Sequence, residues 1–263
     1  MQEFNLSNGF IRLIVSVEHG GRILSISPTH HKNGLYESNQ DNESGWLNYG
    51  GDFLWIAPQE RWGWPPIKSF DQDPWIAAIS DDGLKLTSPV WEGLMLSRKI
   101  NFVEIDTIKV RNTIINISNN QSWGLWNITQ VPIDYLSVGF TLNSDIKVFD
   151  YPENIDLEKL LSNQYINIES AGDRKKILIQ PKKGLDFKIG GITKELTMQI
   201  ETKKFIIEKT FDKQNDDAVY PHGCNIEFYK NDVYLEAEIL WPMVQLAKGE
   251  FYSADQYFKV IEK

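Results

Sequence analysis

The feature of this sequence that most restricts its fold is a succession of about fifteen short strand-like segments separated by polar turns. A representative pair is Trp75–Ser80 and Leu84–Ser88, joined by Asp81-Asp82-Gly83. An Asp-Gly step between two such runs is typical of a β-hairpin turn. Many short strands with turns between them predict an antiparallel all-β protein, either a sandwich or a barrel.

A single segment departs from this pattern. Residues Asn154–Ser162 have the spacing of a short helix, with Leu157 and Leu160 on one side and either Asn154 or Asp156 as the N-cap. The sequence shows no linker, low-complexity run or repeat of fixed period, which disfavours a propeller or solenoid. We therefore predict one domain over residues 1–263.

The stretch from Trp46 to Trp75 is unusually rich in aromatic residues, since it holds five of the nine tryptophans of the chain. Amides, acids, an arginine and turn-forming Gly and Pro residues lie between the rings. Flat rings can stack on the C–H faces of a sugar, while polar groups bind its hydroxyls. The alternative is that the rings are core and the Gly and Pro residues only shape loops. Because loops carry most binding sites, we interpret the segment as a binding surface.

Composition excludes several classes of function. The net charge is −9 and no block of Lys and Arg occurs, which argues against a nucleic-acid partner. No apolar run is long enough for a membrane-spanning helix, and one cysteine, Cys224, permits no intrachain disulfide. We expect a cytoplasmic protein, or alternatively the trimmed form of a secreted one. No zinc or calcium-loop spacing is present, so no metal or cofactor is predicted. The oligomeric state stays open.

Several stretches together resemble the galactose mutarotase-like superfamily. They are Asn8-Gly9-Phe10 with the following Gly20-Gly21-Arg22-Ile23, the strand run that ends in Trp123–Val131, and Tyr234–Pro242. More closely, GGDFLWIAPQERWGWPP and YPHGCNIEFYKNDVYLEAEILWP are similar to an uncharacterised family called domain of unknown function 4380. The resemblance implies a β-supersandwich of two large antiparallel sheets with one short helix. It also implies a concave face that binds a small sugar or an oligosaccharide.

The resemblance also implies a catalytic arrangement for exchange at the anomeric carbon, in which a glutamate acts as base and histidines as acid. The glutamate falls on Glu236, and Glu238 takes the place of a following glutamine on the same strand face. The family histidines have no counterpart here, because Thr129 or Gln130 occupies one of their places. The remaining candidate for an acid is His222, in a turn before the strand that carries Glu236. Both glutamates could equally lie on a solvated face without a role.

The predicted site therefore combines two parts of the chain. Glu236 and His222 are the candidate catalytic residues, and Arg61 lies near the place of the family's substrate arginine, or else forms a surface ion pair. The predicted sugar-binding residues are Asn48, Asp52, Trp55, Gln59, Arg61, Trp64, Trp126, Gln130 and Glu238.

Three hypotheses for function result from these residues. The first is a carbohydrate-binding protein, which we favour because the histidines are missing. The second is a sugar epimerase with Glu236 as base and a non-standard acid. The third is a structural or interaction domain that kept the fold without the chemistry.

Overall fold

A computed structural model describes residues 3–38, 46–151, 155–172, 174–215 and 217–263. Within these residues the chain forms twenty strands: β1 (Glu3–Ser7), β2 (Ile11–Ser16), β3 (Arg22–Pro28), β4 (Asp52–Ala57), β5 (Ile76–Ser80), β6 (Gly83–Thr87), β7 (Leu94–Glu104), β8 (Thr107–Asn116), β9 (Gln121–Pro132), β10 (Ser137–Leu142), β11 (Lys147–Val148), β12 (Ile166–Ala171), β13 (Arg174–Ile179), β14 (Phe187–Gly191), β15 (Thr197–Glu201), β16 (Phe205–Phe211), β17 (Ile226–Lys230), β18 (Tyr234–Leu240), β19 (Val244–Leu246) and β20 (Phe251–Glu262). The helical elements are α1 (Lys68–Asp71), α2 (Leu157–Ser162) and 3₁₀ turns at Gln59–Arg61 and Pro221–Gly223.

The strands form two large antiparallel sheets. The first sheet has the order β1-β2-β3-β4-β9-β18-β17-β14-β11, and β19 pairs with the beginning of β9. The second has the order β12-β13-β10-β15-β16-β20-β8-β7-β6-β5. The predicted hairpin around Asp81-Asp82-Gly83 is confirmed as β5 paired with β6. The prediction of an all-β protein built from two antiparallel sheets is therefore confirmed.

The helix predicted near residue 157 is also present, as α2. Asp156 is its N-cap, and its side chain accepts a hydrogen bond of 2.7 Å from the Lys159 N–H. Asn154, the alternative cap, lies outside the described residues. A second helix, α1, is a single turn within the tryptophan-rich stretch and was not predicted.

The two sheets face each other across a core whose residues alternate along the strands. In β8, for example, Ile108, Val110, Asn112 and Ile114 are buried, and the alternating residues Lys109, Arg111 and Thr113 are more exposed. In β4 the core-facing positions include Leu54 and Ile56. This alternation leaves the opposite face of the first sheet, here called the outer face, free to carry a different set of side chains.

A buried polar network crosses the core between the sheets. Arg98 of β7 donates to the Asp52 carboxylate of β4, which also accepts from Thr129 Oγ1 at 2.7 Å and Asn127 Nδ2 at 3.0 Å. Lys209 of β16 donates to the same Thr129 hydroxyl at 2.7 Å. Burial lowers the pKa of Lys209 to about 7, against the attraction of Asp52. These bonds connect the sheets directly beneath the outer face.

Candidate functional site

A cavity of about 1000 Å³ lies on the outer face of the first sheet. Aromatic and polar side chains from both halves of the sequence surround it. Its lining residues are Trp46, Trp55, Gln59, Glu60, Gly63, Trp64, Trp126, Phe149, Tyr151, Lys188, His222, Tyr229, Tyr234 and Glu236.

The register of the strands explains why these residues meet. Trp55 of β4 pairs with Trp126 of β9. Along each strand every second side chain points to the same face of the sheet. On β18, Glu236 pairs with Gln130 of β9 on one side and with Tyr229 of β17 on the other. Strands far apart in sequence thus place one row of side chains across the outer face.

Tryptophan rings form one wall of the cavity. Trp126 and Trp55 meet edge to face with their ring centroids 5.4 Å apart, and Trp46 lies 6.3 Å from Trp55. Trp64 then packs against Trp46 at 5.1 Å. Trp126 is nearly buried, whereas Trp64 is 50% exposed. The wall therefore runs from the sheet surface to the solvent.

A buried carboxylate, Asp71 of α1, fixes two of these rings. Trp46 Nε1 donates to Asp71 Oδ2 at 2.6 Å, and Trp55 Nε1 donates to Oδ1 at 3.0 Å. Arg22 forms an ion pair with the same carboxylate, and both of these side chains are fully buried. Both carboxylate oxygens of Asp71 therefore accept hydrogen bonds from these donors. Charge-assisted bonds of this kind hold the rings in a defined orientation.

Glu236 is the acidic group of the cavity floor. Gln130 Nε2 donates to Glu236 Oε1 at 2.7 Å. Burial, together with the nearby charge of Glu238, raises the pKa of Glu236 to about 8. At neutral pH the carboxyl group therefore mostly holds its proton, and it can both donate and accept hydrogen bonds. As the pH approaches 8, a growing fraction of the Glu236 carboxyl group is ionised and can accept a proton.

Lys188, also on the cavity floor, bridges two buried carboxylates. Lys188 Nζ lies 2.8 Å from Glu227 Oε2 and 3.0 Å from Glu238 Oε2. Burial opposes the charge of the lysine, but both carboxylates outweigh it and raise its pKa. Burial raises the pKa of Glu238, whereas at Glu227 the charges of Lys188 and His222 outweigh burial and lower it. Trp126 Nε1 also donates to Glu238 Oε2 at 2.7 Å.

His222 extends this charged cluster to the cavity surface. Its Nδ1 lies 3.0 Å from Glu227 Oε1, and its Nε2 lies 3.7 Å from Glu60 Oε2. The imidazole packs edge to face against Trp126 with the centroids 5.6 Å apart. A carboxylate on Nδ1 fixes the orientation of the ring, as it does for catalytic histidines. His222 also has a left-handed backbone, with φ of 56°.

Six of the predicted site residues line the cavity together: Trp55, Gln59, Trp64, Trp126, His222 and Glu236. Two more, Gln130 and Glu238, lie directly behind it. Both are fully buried, and both contact lining residues through hydrogen bonds. Their role is to position Glu236 and Trp126.

The other three residues predicted to bind sugar, Asn48, Asp52 and Arg61, do not line this cavity. Asp52 faces the core, because it lies on the opposite face of β4 from Trp55, which points to the outer face. Asn48 accepts from the Gly50 N–H at 3.0 Å and closes a turn. Arg61 points away, donates to the Ser122 carbonyl at 2.5 Å and lies 5.1 Å from the Trp123 ring centroid.

Several lining residues were not predicted from the sequence. Lys188, Tyr229 and Phe149 lie on or next to β14, β17 and β11, where no site residue was predicted. Alternation was the available signal, since Glu227 and Tyr229 share a face of β17 and pair with Glu238 and Glu236. Lys188 gave no such signal. Its place in the site depends on the pairing of β14 with β17, which sets Lys188 opposite Tyr229.

In the part of the chain that the structure describes, no group of three or more His, Cys, Asp or Glu side chains is arranged to hold a metal ion. Among the same residues, no helix has both the length and the apolar character needed to cross a membrane.

The two facing antiparallel sheets define the class of fold. The fold is a galactose mutarotase-like β-supersandwich. Solved structures share it. A candidate aldose 1-epimerase from Escherichia coli K12 is 14% identical, with a TM-score of 0.62 over 100% of this chain and 99% of that one. A candidate mutarotase from Salmonella typhimurium is 12% identical, with a TM-score of 0.60 over 98% of this chain and 90% of the other.

Similarity at this level defines the fold alone. No protein-family model matches the chain. A comparison with curated proteins likewise gives no match.

Proposed function

We propose that the protein binds a carbohydrate in the cavity of the outer face. The observation that carries this proposal is the combination of a tryptophan wall with a polar floor in one cavity of about 1000 Å³. Trp126 and Trp55 offer ring surfaces for the C–H face of a sugar. Glu236, Lys188 and His222 offer hydrogen-bonding groups for its hydroxyls.

The electrostatics of the floor support a neutral ligand such as a sugar. Lys188 lies between two carboxylates, so its charge is largely balanced within the protein. Glu236 is mostly uncharged at neutral pH because of its raised pKa. A floor whose lysine is already paired with carboxylates, and whose Glu236 is mostly protonated, suits hydroxyl groups better than an anion.

The test is calorimetric titration of the protein with a panel of aldohexoses and aldopentoses. We expect at least one sugar to bind, and Glu236→Leu to weaken its binding by about 10- to 100-fold, the scale of a buried hydrogen bond to an ionisable group. Glu104→Leu is the matched control, because Glu104 is exposed on the second sheet and does not line the cavity. The absence of binding by every sugar would instead favour a structural or interaction domain.

A second candidate function is a sugar epimerase of the mutarotase type. Two observations favour it: Glu236 and His222 line the same cavity, and the pKa of Glu236 is about 8. In such a reaction Glu236 would take the proton of the anomeric hydroxyl while His222 protonates the ring oxygen. The ring then opens, the bond rotates and the ring closes on the other face.

Glu236→Gln separates this enzyme from a binding protein, because glutamine keeps the hydrogen-bonding shape but cannot accept the proton. An enzyme loses anomer exchange, followed by NMR, and retains binding. Exchange by the parent protein should rise as the pH approaches 8 from below. Exchange no faster than background for every sugar tested would leave binding as the function.

We also propose, from the sequence, that the chain belongs to the family called domain of unknown function 4380, and that it is cytoplasmic. The same proposal includes a single domain over residues 1–263. One hydrophobic cluster that draws on both sheets supports a single domain.

A further inference from the structure

The mouth of the cavity differs from its floor in composition. Trp64 is 50% exposed and Tyr151 is 69% exposed, and both line the same cavity as Glu236. Single exposed apolar residues are ordinary on a protein surface. Two large exposed rings at the entrance of one cavity are a different case, because such patches mark ligand-binding surfaces.

The tryptophan rings connect the mouth to the floor in steps. Trp64 contacts Trp46, Trp46 contacts Trp55, and Trp55 contacts Trp126, with centroid distances of 5.1, 6.3 and 5.4 Å. A ligand that contacted only Trp126 and Glu236 would leave the outer rings uncovered.

The polar groups are distributed unevenly along this row of rings. Lys188 and His222 lie at the floor close to Trp126, and Glu236 lines the same floor. Gln59 and Glu60 also line the cavity, and the Glu60 side chain is 75% exposed. The floor thus provides directional bonds for one sugar unit, and the mouth provides mainly stacking surfaces for another.

The size of the cavity also favours a ligand larger than one sugar unit. Its volume of about 1000 Å³ reaches the upper end of the range of about 300–1000 Å³ found for sites that enclose drug-sized ligands. A single pentose or hexose unit is smaller than such ligands and would leave much of the cavity empty.

We propose that the ligand is an oligosaccharide of two or more units, with one unit on the floor and the next against Trp64 and Tyr151. This inference rests on the proposed carbohydrate binding and specifies its ligand class. The outer unit gains its affinity from ring stacking. The protein is therefore less selective for the linkage and hydroxyl pattern of the outer unit than for those of the inner unit.

The experiment is calorimetric titration with chain-length series: glucose with cello- and malto-oligosaccharides, xylose with xylo-oligosaccharides, and mannose with manno-oligosaccharides. In one series we expect the disaccharide to bind at least about 3-fold more tightly than the monosaccharide. Trp64→Ala and Tyr151→Ala should each reduce disaccharide affinity by about 2- to 10-fold, which is a larger loss than the one they cause in monosaccharide affinity.

Phe251→Ala is the matched control. Phe251 is 67% exposed and does not line the cavity, so its removal should change neither affinity. Circular dichroism of all three variants checks that the sheets are intact.

The outcomes separate the two proposals. Equal affinity for a monosaccharide and its oligomers overturns the oligosaccharide inference and leaves the proposed function standing. An equal loss of both affinities in Trp64→Ala also overturns it, because the outer ring would then contact the inner unit. If no sugar of any length binds, the proposed function fails, and this inference fails with it.

Discussion

Replacement of Glu236 by glutamine should change the pH dependence of stability in a defined direction. Glutamine resembles the protonated carboxyl group and can keep the 2.7 Å hydrogen bond from Gln130. Glutamine differs from the wild-type glutamate only at pH values at which the glutamate is ionised. The variant therefore isolates the effect of one proton without opening a cavity in the floor.

The magnitude comes from the two pKa values of Glu236. In the unfolded chain the group ionises near 4.5, and in the folded protein near 8, because of burial and then the charge of Glu238. Between these values the folded state binds more protons than the unfolded state, so stability falls as the pH rises through this window. At about 1.4 kcal/mol per pH unit the ceiling is about 5 kcal/mol. Because the side chain borders an open cavity, we expect about 2–3 kcal/mol.

The assay is urea unfolding of both proteins at pH 4.5, 6.5 and 8.5. Glu236→Gln should be close to wild type at pH 4.5 and more stable by about 2–3 kcal/mol at pH 8.5. Glu60→Gln, which changes a carboxyl group that is 75% exposed at the mouth, should follow the wild-type profile at every pH. Parallel profiles for wild type and Glu236→Gln would refute the raised pKa and, with it, the buried setting of the floor.

Other perturbations address the supports of the site. Asp71→Asn removes the charge that pairs with buried Arg22 and should lower the free energy of unfolding by about 3–5 kcal/mol in urea titrations. A loss below 1 kcal/mol would show that Asp71 does not anchor the tryptophan wall. Lys188→Met leaves Glu227 and Glu238 without their cation, so both pKa values rise. This variant should lose about 3–5 kcal/mol at pH 8 and recover most of it at pH 5, where the carboxyl groups take up protons; an equal loss at both pH values would contradict the bridging role.

Much of the candidate site could be found in the sequence, but its exact membership could not. Glu236 and Trp126 were identified by their positions on strands that resemble a sugar-binding family, and both line the cavity. Asp52 shows the limit of this approach. It lies three residues before Trp55 on β4 and therefore points to the opposite face of the sheet, into the core.

The supports of the site were the hardest part to predict. Asp71 lies 25 residues after Trp46 and gives no local sign that it binds this indole. Lys188 reaches Glu238, 50 residues later, through the pairing of β14 with β17 and of β17 with β18. Contacts of this kind depend on strand order, which local sequence patterns do not specify.

The sequence by itself determined the class of fold, because period-two alternation and turn residues act within a few positions along the chain. It also determined that tryptophans and a strand glutamate would be available for a site. Only the tertiary structure decided which of them meet. Strand order and register set which face each side chain occupies, and a shift of one residue would move Glu236 from the cavity to the core. Burial beside Glu238, which gives Glu236 its raised pKa, exists only once the sheet has formed.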